Sequence, residues 1–177
     1  MNWTLEVVVV PVRDVDVAKA FYADALGFTV DHDSSFGPDM RIVQLTPPGS
    51  GCSVVISRGM TDMEPGSLKG LQLVVNDVVR ADRELTERGV KTGGVVVIGP
   101  EGQQPMADGD DLNNVGFVFF DDPDGNSGAV QQIPARPGPG RHSPALDLHS
   151  RSRAGLPVSP PLTSRQLYNI VLVQRCC

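Results

Sequence analysis

"LEVVVVPVRDVDVAKAFYADALGF", residues 5–28, and "LKGLQLVVNDVVRADRELTERGV", residues 68–90, are built to one plan. Each runs from an apolar strand through an aspartate into a stretch with helical rhythm, and ends on glycine followed by an aromatic or β-branched residue. Asp14 and Asp77 hold equivalent places, 63 residues apart. A carboxylate there accepts hydrogen bonds from the free amides of the first helical turn, so both read as N-caps. Val17, Phe21 and Ala25 fall on one stripe of the first helix and Val78, Ala81 and Leu85 on one stripe of the second. Gly27 and Gly89 stop them.

Strand-like runs follow each helix. After the first come "TVDHD", "MRIVQLTP" and "CSVVIS"; after the second come "VKTGGVVVI", "GFVFF" and "GAVQQI", with turn formers between them. The order is βαβββ twice, an α+β fold. Each unit has a sheet face that needs cover, so the two are expected to pair into a curved mixed sheet around a cavity. The repeat sets the modules at about 3–58 and 67–133, within one domain of 3–133.

Charge divides the chain at the same place. Residues 1–133 carry nine Lys and Arg against 20 Asp and Glu, a net of −11, whereas residues 134–177 carry six Arg and one acid, Asp147, a net of +5. The second part is rich in proline, as in "PARPGPGRHSP" and "GLPVSPPLTS", and reads as a disordered extension. Its arginines are scattered and no aromatics alternate with them, which argues against a nucleic-acid arm. No functional reading attaches to its closing "LYNIVLVQRCC".

Bulk composition excludes several classes. No run approaches the roughly 18 apolar residues that a membrane helix needs. "MNWTLEVVVV" lacks the basic start and cleavage site of a secretory signal, so a cytoplasmic protein is expected. Cys52, Cys176 and Cys177 cannot form a disulfide framework, and Cys52 reads as a small buried hydrophobe. His32, His142 and His149 show no zinc-like spacing. His32, flanked by Asp31 and Asp33, reads as a surface residue, and no nucleophile–base pair or phosphate loop stands out.

The combination "DVDVAKAFYADALGF", "VQLTPPG" and a later "DPDGN" resembles the vicinal oxygen chelate superfamily, the glyoxalase, bleomycin-resistance and extradiol-dioxygenase group. The resemblance covers residues 3–133. It implies a homodimer and, in many members, a divalent metal held in the cavity by His, Gln or Glu. Carried across, the first-strand ligand seven residues before each capping Asp becomes Val7 and Gly70. The glutamate four residues after the Gly of "DPDG" becomes Ala129, and its counterpart in the first module is about Val55. None of these side chains can bind a metal, which would need about three or four N or O donors.

With strand alternation fixed, the cavity side shows Val7, Val9, Ser53, Val55, Gly70, Gln72, Ala129 and Gln131. That is an apolar pocket in which Gln72 and Gln131 can orient the polar edge of a small molecule, or bond to neighbouring backbone or water. Phe21, Tyr22, Phe117, Phe119 and Trp3 read mostly as core. The acidic "MADGDDLNN" loop, 106–114, lacks EF-hand spacing and reads as a solvated loop that can serve as a lid. "DPDG" reads as turn chemistry. The expected function is metal-free binding or sequestration of a partly apolar ligand, with no cofactor, nucleic acid or membrane partner. A lyase, isomerase or dioxygenase with non-standard ligands for a divalent metal is the alternative. An inactive module whose tail carries an interaction is a third.

Overall fold

The computed structural model describes residues 1–134 apart from 39 and 101. The expectation of a disordered tail falls outside the described residues. The first module runs β1 (Val7–Pro11), α1 (Val15–Ala20), β2 (Thr29–Ser35), β3 (Arg41–Thr46) and β4 (Ser53–Arg58). The second runs β5 (Lys69–Val75), α2 (Val78–Glu87), β6 (Val96–Gly99), β7 (Gly102–Pro105), β8 (Gly116–Asp121) and β9 (Ser127–Gln132). It is an α+β fold in which the repeat read from the sequence recurs, with one addition. β6 and β7 form a hairpin closed by the Gly99–Gly102 turn, so residues expected to lie in a loop are paired.

Both capping aspartates act as expected. The Asp14 carboxylate accepts from the amides of Asp16 and Val17, and that of Asp77 from the amide of Arg80. The first helix departs from the predicted stripe: Val17 is half exposed, and Val15, Ala18 and Tyr22 are the buried residues. After Ala20 the chain widens into a π-helical turn, Phe21–Ala25, with the Leu26 amide donating to the Phe21 carbonyl at 3.0 Å. The wider turn breaks the i, i+4 continuity on which that stripe depended. It turns Tyr22 inward and sets Phe21 against both modules.

The sheets order as β1-β4-β3-β2 and β5-β9-β8-β6-β7, with β1–β4 and β5–β9 parallel. Each helix covers one face of its own sheet. Val10, Val12, Val43, Leu45, Val54 and Ile56 pack with Ala18 and Tyr22; Val118, Phe120 and Val130 pack with Val78 and Leu85. Phe21, Leu26 and Leu73 touch both clusters and join the cores. Each fully buried aliphatic side chain contributes about 1.5–3 kcal/mol.

In place of one continuous sheet there are two, because among the described residues no backbone ladder joins β1 to β5. A side chain joins them. Asn126 Nδ2 donates to the Pro11 carbonyl at 2.9 Å, and the Leu68 amide donates to Asn126 Oδ1 at 3.0 Å. Asp122, from the same turn, accepts from Tyr22, from Asn126 Nδ2 and from the amides of Asp124 and Asn126. The "DPDGN" segment is thus the staple between modules. The connecting segment passes so close that a Cβ on Gly66, at φ +81°, would stand 2.2 Å from the Asp124 carbonyl oxygen.

Candidate functional site

Because the helices cover one face of each sheet, alternation assigns the expected cavity residues to the helix-free faces. They form two groups. Val7 pairs with Ser53 and Val9 with Val55 on the first sheet; Gln72 pairs with Ala129, which in turn faces Phe119, on the second. Gly70 sits at a β-bulge with φ +88°, where the register between Lys69 and Leu71 shifts.

The two faces differ in access. On the first sheet Ile42, Gln44, Ser53, Val55 and Ser57 are all buried, while Val7 and Val9 are half-buried. Gln44 Nε2 donates to Ser53 Oγ at 3.1 Å, yet Gln44 Oε1 and Ser57 Oγ have no partner among the described residues. The second sheet is open. Val74 is 55% exposed and Phe119 40%, beside Phe117 and the Gln72–Gln131 pair. The rings of Phe117 and Phe119 lie within 5° of parallel with centroids 6.1 Å apart. Val74 follows from the same alternation as Gln72, so period-2 reading would have found it.

Gln72 and Gln131 are bonded to each other. Gln72 Nε2 donates to Gln131 Oε1 at 2.5 Å, and Gln131 Nε2 donates to the Asn114 carbonyl at 2.7 Å. Asn114 lies at the end of the acidic loop with φ +64°, the one positive-φ residue other than glycine among those described. Its own amide donates to the Gln132 carbonyl at 2.8 Å. Asparagine tolerates this conformation better than most residues, which is the signal in "LNN" that sequence reading passed over.

Two openings lie along the β5 edge, walled mostly by residues of the helix-covered side, with Gly70, Gln72 and Val74 at their boundary with the open face. One, of about 460 Å³, is walled by Leu26, Phe28 and the Pro47–Ser50 turn on one side and by Ala81, Glu84, Leu85 and Arg88 of α2 on the other, with Gln72–Val75 between. The second, of about 310 Å³, lies between Leu5, Val8 and Cys52–Val54 and the Leu68–Leu73 stretch. Gln72 lines both; Gly70 lines the second; Val7, Val9, Val55, Ala129 and Gln131 line neither. Cys52 is half-buried at the rim of the second, where the sequence suggested burial.

Elsewhere the charged groups serve the scaffold. Asp33 accepts from Arg41 Nε at 2.9 Å and from Lys19 at 2.7 Å, and these bonds, the arginine's foremost, hold its carboxyl well below the usual carboxylate range. Burial, reinforced by Asp122, pushes the Tyr22 phenol far above its ordinary value. Trp3 is exposed and His32 half-buried. No helix among the described residues is long and apolar enough to cross a membrane.

The donor set does not fit a metal. The positions to which the family resemblance carries metal ligands, Val7, Val55, Gly70 and Ala129, offer only aliphatic carbon or hydrogen. Among the described residues no group of three or more His, Cys, Asp or Glu is arranged to hold an ion.

A paired-module α+β scaffold with a helix-free apolar face is the architecture of the glyoxalase-like proteins. The sequence profile of the Glyoxalase/Bleomycin resistance protein/Dioxygenase superfamily matches residues 4–128, and the chain belongs to that family. Among solved structures it is similar to TnmS3, described as an antibiotic binding protein, from Streptomyces sp. CB03234. The two share 31% identity and a TM-score of 0.58, over 76% of this chain and 98% of that one. It is also similar to a glyoxalase/bleomycin resistance protein from the same organism (32% identity, TM-score 0.56, 73% and 100% covered). A superfamily member from Sphaerobacter thermophilus is 28% identical, with a TM-score of 0.58 over 73% and 97%. No curated protein matches the sequence significantly.

Proposed function

We propose that this protein binds and sequesters a small, partly apolar molecule without a metal ion, on the helix-free face of its second sheet. One observation carries the reading: exposed apolar side chains, Val74 and Phe119, flank an amide pair on the open, helix-free face of the second sheet. A surface of this kind supplies area for an apolar body and a polar group to orient it. The likeness to TnmS3 supports binding of an antibiotic-like compound. A homodimer belongs to the same reading, since Val74, Ile98 and Phe119, each more than a third exposed, are what a second copy would cover around a bound ligand.

Titration calorimetry of protein purified without added metal, against a panel of aromatic antibiotics, tests the proposal. Saturable binding with a negative heat-capacity change is expected. Binding that appears only after a divalent metal is added, or no binding across the panel, would overturn it.

A further inference from the structure

We propose that Gln72 selects ligands by accepting a hydrogen bond from them, and that Gln131 and Asn114 hold it in the orientation that makes this possible. The inference rests on the proposed binding face and adds the chemistry that it reads: a planar aromatic body bearing a hydroxyl or N–H group.

The orientation follows from a backbone group. A carbonyl oxygen can only accept, so the Gln131 atom 2.7 Å from the Asn114 oxygen must be its amide nitrogen. Gln131 therefore turns its oxygen toward Gln72, and the Gln72 atom 2.5 Å away must be nitrogen. Neither amide can flip without setting oxygen against oxygen. The consequence lands on Gln72 Oε1, which accepts no hydrogen bond among the described residues. Gln131 has its oxygen and one N–H committed and is a positioning residue. The restraint is anchored by Asn114 in a backbone conformation few side chains adopt, φ +64°, and such conformations cluster where the surroundings fix a functional group.

The flanking surface supplies the rest of the ligand's description. The near-parallel rings of Phe117 and Phe119 sit on the same face, paired with Gln131 and Ala129, and offer a stacking surface one strand beyond the amides. A flat aromatic compound placed there with a hydroxyl toward β5 would satisfy Gln72 Oε1. Its O-methylated analogue would bury the same area and leave that oxygen unpaired.

Fluorescence titration with hydroxypyrene and methoxypyrene, on the full chain and on Gln72→Leu and Gln131→Leu, decides the matter. The wild type is expected to favour hydroxypyrene about five- to tenfold, the value of one hydrogen bond to an otherwise desolvated acceptor. In Gln72→Leu the ratio should fall to about one. In Gln131→Leu it should also fall, because the Gln72 amide is then free to turn. The ratio is taken within each variant, so a general loss of stability does not move it. Equal affinity of the wild type for both compounds, or a ratio that survives either substitution, overturns the role of Gln72 and leaves the binding face standing. Failure of both compounds to bind overturns the binding face as well.

Discussion

The Tyr22 hydroxyl donates to Asp122 Oδ2 at 3.0 Å, and this one bond ties the helical segment of the first module to the β8–β9 turn of the second. Both groups are buried. The π-helical turn brings Tyr22 there, and the four donors around Asp122 keep its carboxylate satisfied away from water. Replacing Tyr22 by Phe removes one of the four. A loss of about 1.5–3 kcal/mol in urea unfolding is expected, the cost of one bond to a buried charge. A loss below about 0.5 kcal/mol would mean that the Tyr22–Asp122 bond contributes little to holding the modules together.

The same pair gives the protein an alkaline limit. Burial and the neighbouring carboxylate raise the Tyr22 phenol above its ordinary value, so in the folded state it stays protonated where the unfolded chain ionises. A raised phenol favours folding below the unfolded value, near 10, and that contribution is lost as pH rises past it. The stability gap between wild type and Tyr22→Phe should hold at about pH 8 and shrink by about pH 11. A gap constant over that interval would show that the phenol ionises in the folded state as readily as in the unfolded one.

Gly66 is the tightest point of the connection between modules. Its φ of +81° is strained for any side chain, and an added Cβ would collide with a backbone carbonyl, which cannot swing aside as a side chain can. Gly66→Ala should cost at least about 2 kcal/mol, whereas Gly89→Ala, with a similar φ and open space around it, should cost only about 1 kcal/mol. Thermal unfolding of the two variants side by side separates steric collision from backbone strain.

The repeat, the caps and the module order were legible because they rest on local chemistry: an aspartate before a helix, a glycine after it, an apolar alternation of two. What escaped were features set by contacts distant in sequence. Nothing near Phe21 announces a π-helical turn, which carries Tyr22 to its contact with Asp122, 100 residues away. The β6–β7 hairpin hid in "GPEGQQP", polar residues without strand character, because pairing with β6 organises it. For the site, alternation named Gln72 and Gln131, but only register could show that they bond to each other and to Asn114. Access was equally invisible: Val55 and Gln131 share a pattern in the sequence, yet Val55 is fully buried and Gln131 is not.

Ser57 tests the sealed face of the first sheet. Its hydroxyl is buried without a partner among the described residues, which costs about 1–3 kcal/mol relative to a satisfied or solvated group. Ser57→Ala removes the orphan and creates only a small void, so the variant should equal the wild type or exceed it by about 1 kcal/mol. A clear destabilisation would reveal a bond or a structural water that the serine serves.

Metal removal probes the donor set directly. A divalent ion bound to the native state alone would stabilise it by an amount that grows with the logarithm of its concentration over its dissociation constant, so a chelator would lower the melting temperature. With valine, glycine and alanine at the four positions to which the resemblance carries ligands, and no group of three or more His, Cys, Asp or Glu gathered among the described residues, no such linkage is expected. The melting temperature should be the same, to within about 1 °C, after dialysis against EDTA and after addition of Zn, Ni, Mn or Fe(II). Elemental analysis should find well under one ion per chain. Introducing His at Val7 and Glu at Ala129 should leave the protein without a tight site, because those two residues lie on different sheets and supply two donors where about three or four are needed. Stoichiometric metal in the unaltered protein, lost together with ligand binding on chelation, would reverse this conclusion and return the protein to the metal-dependent branch of its family.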